Sequence, residues 1–434
     1  MKKVLVISYY YPPMGMGGVQ RTAKFTKYLS IYGWQPHVLT VNQTFYLASD
    51  EHLLNEVENA GVIIHRTGAK EDGNRNHEGR QKVVKFKKDS NRKLLSNILQ
   101  TFLLPDSKVL WKNKAIALAE KIINENGIDL IFATAPPYTD FLIAVELKKK
   151  FGLPVILDYR DSWIDCPNNF YPTPFHKRRH MQLERNVLKH ADGIITINER
   201  IKELIIERYP FVRENIVKVI HQGFDYDDFE KFSNENPPRD KFRITYSGSF
   251  LNYYTPKHFL DALKKVFDEN PQLRDKVEAM FIGTFPDEYK NYAKQIGISD
   301  SLRFTGYVEH SEVAGYLMQS HVLWMMINRT QRSDLHSTGK LYEYFGAQKP
   351  IIACVPNGVA RESLKNYGAV KITEPDDVNA IAEAVKYFYN CFESNSLPVP
   401  NPEYVKKYDR RLLSGVLAEI FDKNSVNKPE KVSI

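Results

Sequence analysis

Short apolar runs alternate with longer stretches of helical periodicity through most of this chain. Strands are expected at 4–8, 37–41, 62–66, 129–134, 155–159, 193–197 and 217–221, with helices at 19–32, 113–126, 139–151, 176–191 and 199–209. Apolar strands separated by such helices predict βαβ units and a parallel sheet. Gly33 and Gly127 stand where a helix is closed by a left-handed glycine. A polar stretch at 232–240 interrupts the pattern and reads as a linker. Alternation then resumes, with strands expected at 242–249, 278–283, 302–308, 321–327, 350–355 and 369–372 and helices at 256–269, 287–296, 311–319, 339–346 and 377–390. A last helical pattern at 403–423 has no strand after it. The expected fold is α/β: two Rossmann-like doubly wound domains facing each other across a cleft. The first would cover 1–231 and the second 240–402, with helix 403–423 packing back towards the N-terminal domain.

Length agrees with that division, because 434 residues exceed what one hydrophobic core usually fills. The 43% apolar and 26% charged fractions are ordinary for a globular protein. Three widely spaced cysteines, Cys166, Cys354 and Cys391, fit a reducing compartment without a disulfide framework. The apolar opening around Val4–Ile7 is too short for a signal peptide and reads as a first core strand. No stretch approaches the ~20 apolar residues of a membrane helix. A cytoplasmic protein is expected.

The net charge of +8 favours anionic partners without naming them. Much of the excess sits in Lys82, Lys85, Lys87, Lys88, Arg92 and Lys93, ahead of an amphipathic pattern at 94–104. Such a segment can lie on an anionic membrane surface, peripherally at its inner face. The favoured reading is a solvated linker followed by a helix packed on the first domain, because amphipathic helices usually pack on their own core. No recognition motif for nucleic acid is present.

Chemistry is expected where strands end in glycine and a helix begins. Gly17 and Gly18 open the first helix, and Gly248 and Ser249 follow the first strand of the second half. Glycine admits close backbone approach, and a helix N-terminus favours the charge of a diphosphate. Asp158, Arg160 and Asp161 follow an apolar strand at its carboxyl end, where α/β sheets place ligands. They could bind an acceptor hydroxyl or take its proton, or Arg160 could simply hold the loop through the carboxylates. The D-x-D of Asp225-Tyr226-Asp227 follows Gly223 where helix-capping aspartates are expected, so it is not read as a metal site. The histidines and cysteines lack metal-ligand spacing. No Gly-x-Ser-x-Gly elbow or Gly-x-Gly-x-x-Gly fingerprint appears.

Several ordered motifs resemble the GT-B glycosyltransferases of family 4. They are Pro12-Pro13 to Gly17-Gly18-Val19-Gln20-Arg21, Leu157-Asp158-Tyr159-Arg160-Asp161-Ser162-Trp163 and Val219-Ile220-His221-Gln222-Gly223-Phe224-Asp225. Phe304-Thr305-Gly306-Tyr307-Val308 and Gly339-Lys340-Leu341-Tyr342-Glu343-Tyr344 to Lys349-Pro350 continue the set. The resemblance implies sugar transfer from a UDP- or GDP-linked donor with retention at the anomeric carbon, without metal or cofactor. The basic amphipathic segment at 82–104, not the resemblance, suggests that the acceptor is lipid-linked or a saccharide. The resemblance implies Glu343 on the ribose, Lys340 on the diphosphate, Gly306 and Tyr307 near the base, and Thr338 and Gly339 as donors at a helix start. Asp158 and Asp161 would be catalytic beside Lys340, and Arg160 would join Asp161 at the acceptor.

This chain departs from the family in three places. Leu335 occupies the position of the motif's first glutamate, with Asp334 and His336 as candidate replacements. Ser249 and Tyr254 stand where many members have arginine and lysine. Ala133-Thr134-Ala135-Pro136-Pro137 lacks the histidine common there. Neutralising phosphate then falls to Lys340, with Arg329 or Arg332 as auxiliaries. A nucleotide-sugar 2-epimerase or a non-enzymatic nucleotide-sugar-binding protein would share the architecture.

Overall fold

The computed structural model describes residues 1–15, 17–42, 49–68, 103–166, 169, 171–250 and 254–425. The basic run at 82–93 and the amphipathic stretch as far as 102 lie outside the described residues. The chain divides into two compact units, Met1–His221 with Arg411–Ile434, and Gln222–Arg410. Each is a parallel sheet with helices on both faces, and together they form a two-domain, Rossmann-like GT-B architecture.

The first unit holds β1 (Lys2–Ile7), β2 (Trp34–Val41), β3 (Ile63–Thr67), β4 (Leu130–Ala135), β5 (Val155–Tyr159), β6 (Gly193–Thr196) and β7 (Val217–Val219). Their spatial order is β3-β2-β1-β4-β5-β6-β7, all parallel. Sequence direction reverses between β1 and β4, which makes their carboxyl ends the switch point where such sheets bind ligands. The inner strands β4, β5 and β6 are buried on both faces, as parallel strands are. Leu5, Ile7, Ile131, Ala133 and Leu157 enter one core, and Val4, Val6, Leu130, Phe132 and Ile156 enter the other.

The second core is closed by the helix Arg410–Ser425, whose Phe421 ring lies 5.3 Å from Trp34 and 5.4 Å from Phe132. The sequence pattern suggested one helix at 403–423. The structure has two, Pro402–Lys406 and Arg410–Ser425. Backbone bonds from Phe224 N to Tyr408 O and from Arg410 N to Phe224 O capture the intervening turn and break the helical ladder. Helices Glu51–Asn59 and Val359–Lys365 were not expected from the pattern, and the helix that Asp225 is read as capping is Tyr226–Glu230.

The second unit holds β8 (Phe242–Ser247), β9 (Val277–Ile282), β10 (Leu302–Gly306), β11 (Val322–Met326), β12 (Ile351–Cys354) and β13 (Val370–Thr373) in the order β10-β9-β8-β11-β12-β13. All pairs are parallel, and the switch point falls between β8 and β11. Among the described residues no helix is long and apolar enough to cross a membrane.

Candidate functional site

Three neighbouring strands of the second unit run into glycine: Gly248 follows β8, Gly283 follows β9 and Gly306 ends β10, with φ of 129°, 108° and 73°. Such φ values are left to glycine because a Cβ would clash with the chain. Gly248 N donates to Ile282 O and Gly283 N to Gly306 O, both at 2.8 Å. A Cβ on Gly283 would lie 3.0 Å from the Gly248 carbonyl, so the turns touch backbone to backbone.

β8 and β11 pair only through Val322↔Ile244 and Leu323↔Thr245. Beyond that, the Tyr344 hydroxyl stands between them, accepting from Ser247 N at 2.9 Å and donating to Trp324 O at 3.0 Å. Tyr344 belongs to the helix Gly339–Ala347, so this wedge seats that helix on both strands.

The same helix brings Lys340 to the end of β8. Its ammonium donates to Tyr246 Oη at 2.7 Å and lies 4.5 Å from the Tyr246 ring centroid and 5.6 Å from that of Tyr254. No carboxylate stands within ion-pair distance of it among the described residues. Burial lowers its pKa to about 8, partly offset by Tyr254 and Glu343. Glu343, one turn on, is half-buried, with Oε1 4.0 Å from His310 Nδ1. It lines a recess with Asp225, Asp228, His310 and Arg410.

Thr338 stands at the N-cap of this helix without a capping bond, and its buried hydroxyl has no partner. Ser337 Oγ lies 2.7 Å from Tyr342 Oη instead. Ser249 Oγ accepts from Thr284 N at 3.2 Å, and Tyr307 is largely exposed after Gly306. Arg329 pairs with Glu374 at 2.6 Å, and Arg332 with Asp334 at 3.2 Å, so both suggested auxiliaries already hold carboxylates. Leu335 is buried, and burial lowers the pKa of His336. Asp225 caps the helix Tyr226–Glu230, its side chain accepting from Asp227 N at 3.2 Å.

In the first unit the expected residues separate into two roles. Asp158 is fully buried. Its carboxylate accepts from Arg21 Nη2 at 2.8 Å, Arg21 Nε at 3.1 Å and Thr134 Oγ1 at 2.9 Å. Arg21 also donates to the carbonyls of His221 and Ile220, at 2.7 and 2.9 Å. This pair ties the first helix, Gly17–Leu29, to the ends of β5 and β7. Both oxygens of this buried carboxylate already accept from Arg21, and one also from Thr134, so its role here is to hold the ends of the strands.

Arg160, expected at an acceptor, turns inward. Its two terminal nitrogens donate to the carbonyls of Gly18 and Pro136, holding together the turns after β1 and β4. Burial lowers its pKa, against the pull of Asp158, Asp161 and Asp140. A Cβ at Gly18 would lie 3.3 Å from Arg160 Nη1, so the guanidinium packs closely on this glycine. Asp161 differs from both neighbours in reaching solvent. The protein around it still withholds enough water to push its carboxyl up to about 6, with Arg160 drawing it down.

Asp140 was not singled out from the sequence. It is fully buried in the helix Thr139–Phe151, with one oxygen accepting from Tyr9 N at 2.9 Å and the other unpartnered. Burial raises its pKa well above the usual carboxylate range. Its only signal is an acid in the first turn of a helix that follows Pro136-Pro137.

Two doubly wound parallel sheets, the second ending in glycines and bearing a cation and a carboxylate a helical turn apart, fit the GT-B class. Family models agree. Residues 16–228 match "Glycosyltransferase Family 4" and residues 227–399 match "Glycosyl transferases group 1". The chain belongs to this family of GT-B glycosyltransferases.

A D-inositol 3-phosphate glycosyltransferase from Streptomyces bingchenggensis is 22% identical over 156 residues, 33% of this chain and 34% of that protein. The chain thus matches about a third of the length of that curated relative. A glycosyltransferase from Rickettsia africae superposes with a TM-score of 0.64 at 15% identity, covering 98% of this chain and 99% of that one. A putative UDP-N-acetylglucosamine 2-epimerase from Listeria monocytogenes gives 0.54 at 13%, covering 100% of both. At these identities the structural likenesses concern the fold.

Proposed function

We propose that the protein transfers a hexose-type sugar from a UDP- or GDP-linked donor to an acceptor hydroxyl, with retention of anomeric configuration and without a metal ion. The observation that carries this reading is Lys340: an ammonium with no carboxylate partner among the described residues, set at the switch point of the second sheet, with Glu343 one turn away. A cation so placed can neutralise a diphosphate as its bond to the sugar breaks. Glu343 offers two acceptor oxygens to the vicinal hydroxyls of a ribose. The unsatisfied Thr338 hydroxyl and the N-terminus of its helix supply donors to phosphate oxygen. Gly248 and Ser249 give backbone access beside it, and Gly306 and Tyr307 would face the base.

In the first unit, Asp161 is the carboxylate open to an acceptor, and Gly17 opens the helix at whose start the donor would sit. Arg160 and Asp158 are positioning residues for that end of the sheet. The acceptor oxygen bonds to the anomeric carbon as the sugar–phosphate bond breaks, and its proton passes to the departing phosphate, as family 4 implies. A lipid-linked or saccharide intermediate of cell-surface polysaccharide or glycolipid synthesis is the acceptor class this reading favours.

The test is incubation with UDP- and GDP-sugars, with and without candidate acceptors, for wild type and Glu343→Ala. Transfer dependent on acceptor and lost in the variant supports the reading. Conversion of the donor sugar to its 2-epimer in the absence of acceptor would support an epimerase instead. Nucleotide binding with neither reaction would leave a binding protein.

A further inference from the structure

Helix Pro174–Lys189 of the first unit has 16 residues and a single acid, Glu184, which is buried. Its rotation about its own axis is fixed from the inside. Trp163 Nε1 donates to His180 Nδ1 at 3.0 Å, Tyr209 Oη donates to Glu184 Oε2 at 2.7 Å, and Val187 and Leu188 are buried. The opposite face carries Phe175, Arg178, Gln182, Arg185 and Lys189, spaced three and four apart, with Arg179 beside them. At that spacing the side chains form one stripe along a helix about 24 Å long. All of these residues are exposed.

The cations of this stripe gather on one helix face without a carboxylate partner among the described residues. Among the described residues no carboxylate lies within ion-pair distance of Arg178, Arg179, Arg185 or Lys189; Arg179 donates only to Gln182, at 3.2 Å. The helix Glu199–Arg208 shows the ordinary surface arrangement, with Arg200 paired to Glu203 and Glu207, and Lys202 to Glu199 and Glu214.

Two phenylalanines stand out of the same surface. Phe175 is 68% exposed at the start of the helix. Phe211 is 40% exposed, with the Arg185 guanidinium 5.7 Å and the Lys189 ammonium 6.0 Å from its ring centroid. A groove of about 220 Å³, lined also by Met181 and Tyr209, opens beside Arg185 and Phe211.

We propose that the outer face of helix Pro174–Lys189, together with Phe211, is a docking surface for membranes that contain anionic phospholipid. Cations on one helix face sit at headgroup phosphates while aromatic side chains enter the acyl boundary. A single-stranded polynucleotide is the alternative occupant, since bases stack on exposed phenylalanine, and RNA competition distinguishes the two. The surface bears on a lipid-linked acceptor but does not rest on the sugar-transfer reading, since vesicle binding is measured without donor or acceptor.

The test is flotation of the full chain with phosphatidylcholine vesicles, with and without phosphatidylglycerol, and with single-stranded RNA as competitor. Binding is expected only with phosphatidylglycerol and weakens with salt. It should fall roughly fivefold for each cation removed in the series Arg178→Gln, Arg185→Gln, Lys189→Gln. Phe175→Ala with Phe211→Ala should weaken it further, and thermal unfolding of each variant should match wild type. Three results overturn the proposal: no binding by wild type, undiminished binding by the triple glutamine variant, or displacement by RNA with no effect of the phenylalanine changes. The last would mark a general polyanion surface.

Discussion

Lys340 lies directly over Gly248: a Cβ on that glycine would stand 2.3 Å from Lys340 Cε and 2.4 Å from Nζ. With its φ of 129°, Gly248 is also in a conformation that other residues rarely adopt. Gly248→Ala should therefore displace the ammonium and strain the turn, at a cost of about 1–3 kcal/mol. Denaturant unfolding measures the loss of stability. Titration calorimetry with UDP and GDP should show weakened binding of whichever diphosphate the wild type prefers.

Lys340 makes binding depend on pH with a definite sign. Its folded pKa lies near 8 and the unfolded value at 10.5. Between those values the unfolded chain holds the extra proton, so wild-type stability should rise with pH across this window relative to Lys340→Met. Nucleotide diphosphate affinity should move oppositely, highest below pH 8 and declining above it as the ammonium discharges. In Lys340→Met that decline should be absent and affinity low throughout. An affinity that is flat from pH 7 to 10 in wild type would remove Lys340 from the phosphate site.

The Arg21–Asp158 pair should govern stability more than catalysis. Both side chains are almost wholly shielded from solvent. Removing one partner leaves a buried charge uncompensated, which typically costs about 3–5 kcal/mol. Asp158→Ala and Arg21→Ala should each lower the unfolding midpoint strongly, and their double variant should lose less than the sum.

Asp161 should report itself in the pH profile of transfer. With its carboxyl near 6, the ionised form needed to accept a hydrogen bond from the acceptor hydroxyl accumulates as pH rises through that value. The rate should climb across this interval in wild type, and Asp161→Asn should abolish the inflection while lowering the rate. Burial disfavours the ionised carboxylate, so the same variant should be slightly more stable than wild type above pH 6.

The order of strands and helices was open to reading because parallel strands buried on both faces leave continuous apolar runs. Val155–Tyr159 and Ile351–Cys354 are examples. The helix Glu51–Asn59 escaped notice although its start carries a legible signal: Asp50 caps Leu53 N at 2.9 Å, and Leu53, Leu54 and Val57 are the buried positions. The break at Lys407–Asp409 could not be read locally, because its cause is Phe224, far away in sequence.

Within the site, the neighbourhood of Lys340 and Glu343 follows from helical spacing alone. The division of labour between Asp158, Arg160 and Asp161 does not. These residues are consecutive or nearly so, and their roles are set by Arg21, Gly18 and Pro136, which approach from other elements. Asp140 was illegible for the same reason: its desolvation is a property of the assembled first unit.

The Tyr344 hydroxyl, lodged where β8 and β11 part, bears on mechanical precision. A helix docked through one phenol to two diverging strands cannot slide without breaking bonds to Ser247 and Trp324 together. The placement of ammonium and carboxylate relative to the sheet is thereby indexed to the backbone of β8 and β11 themselves.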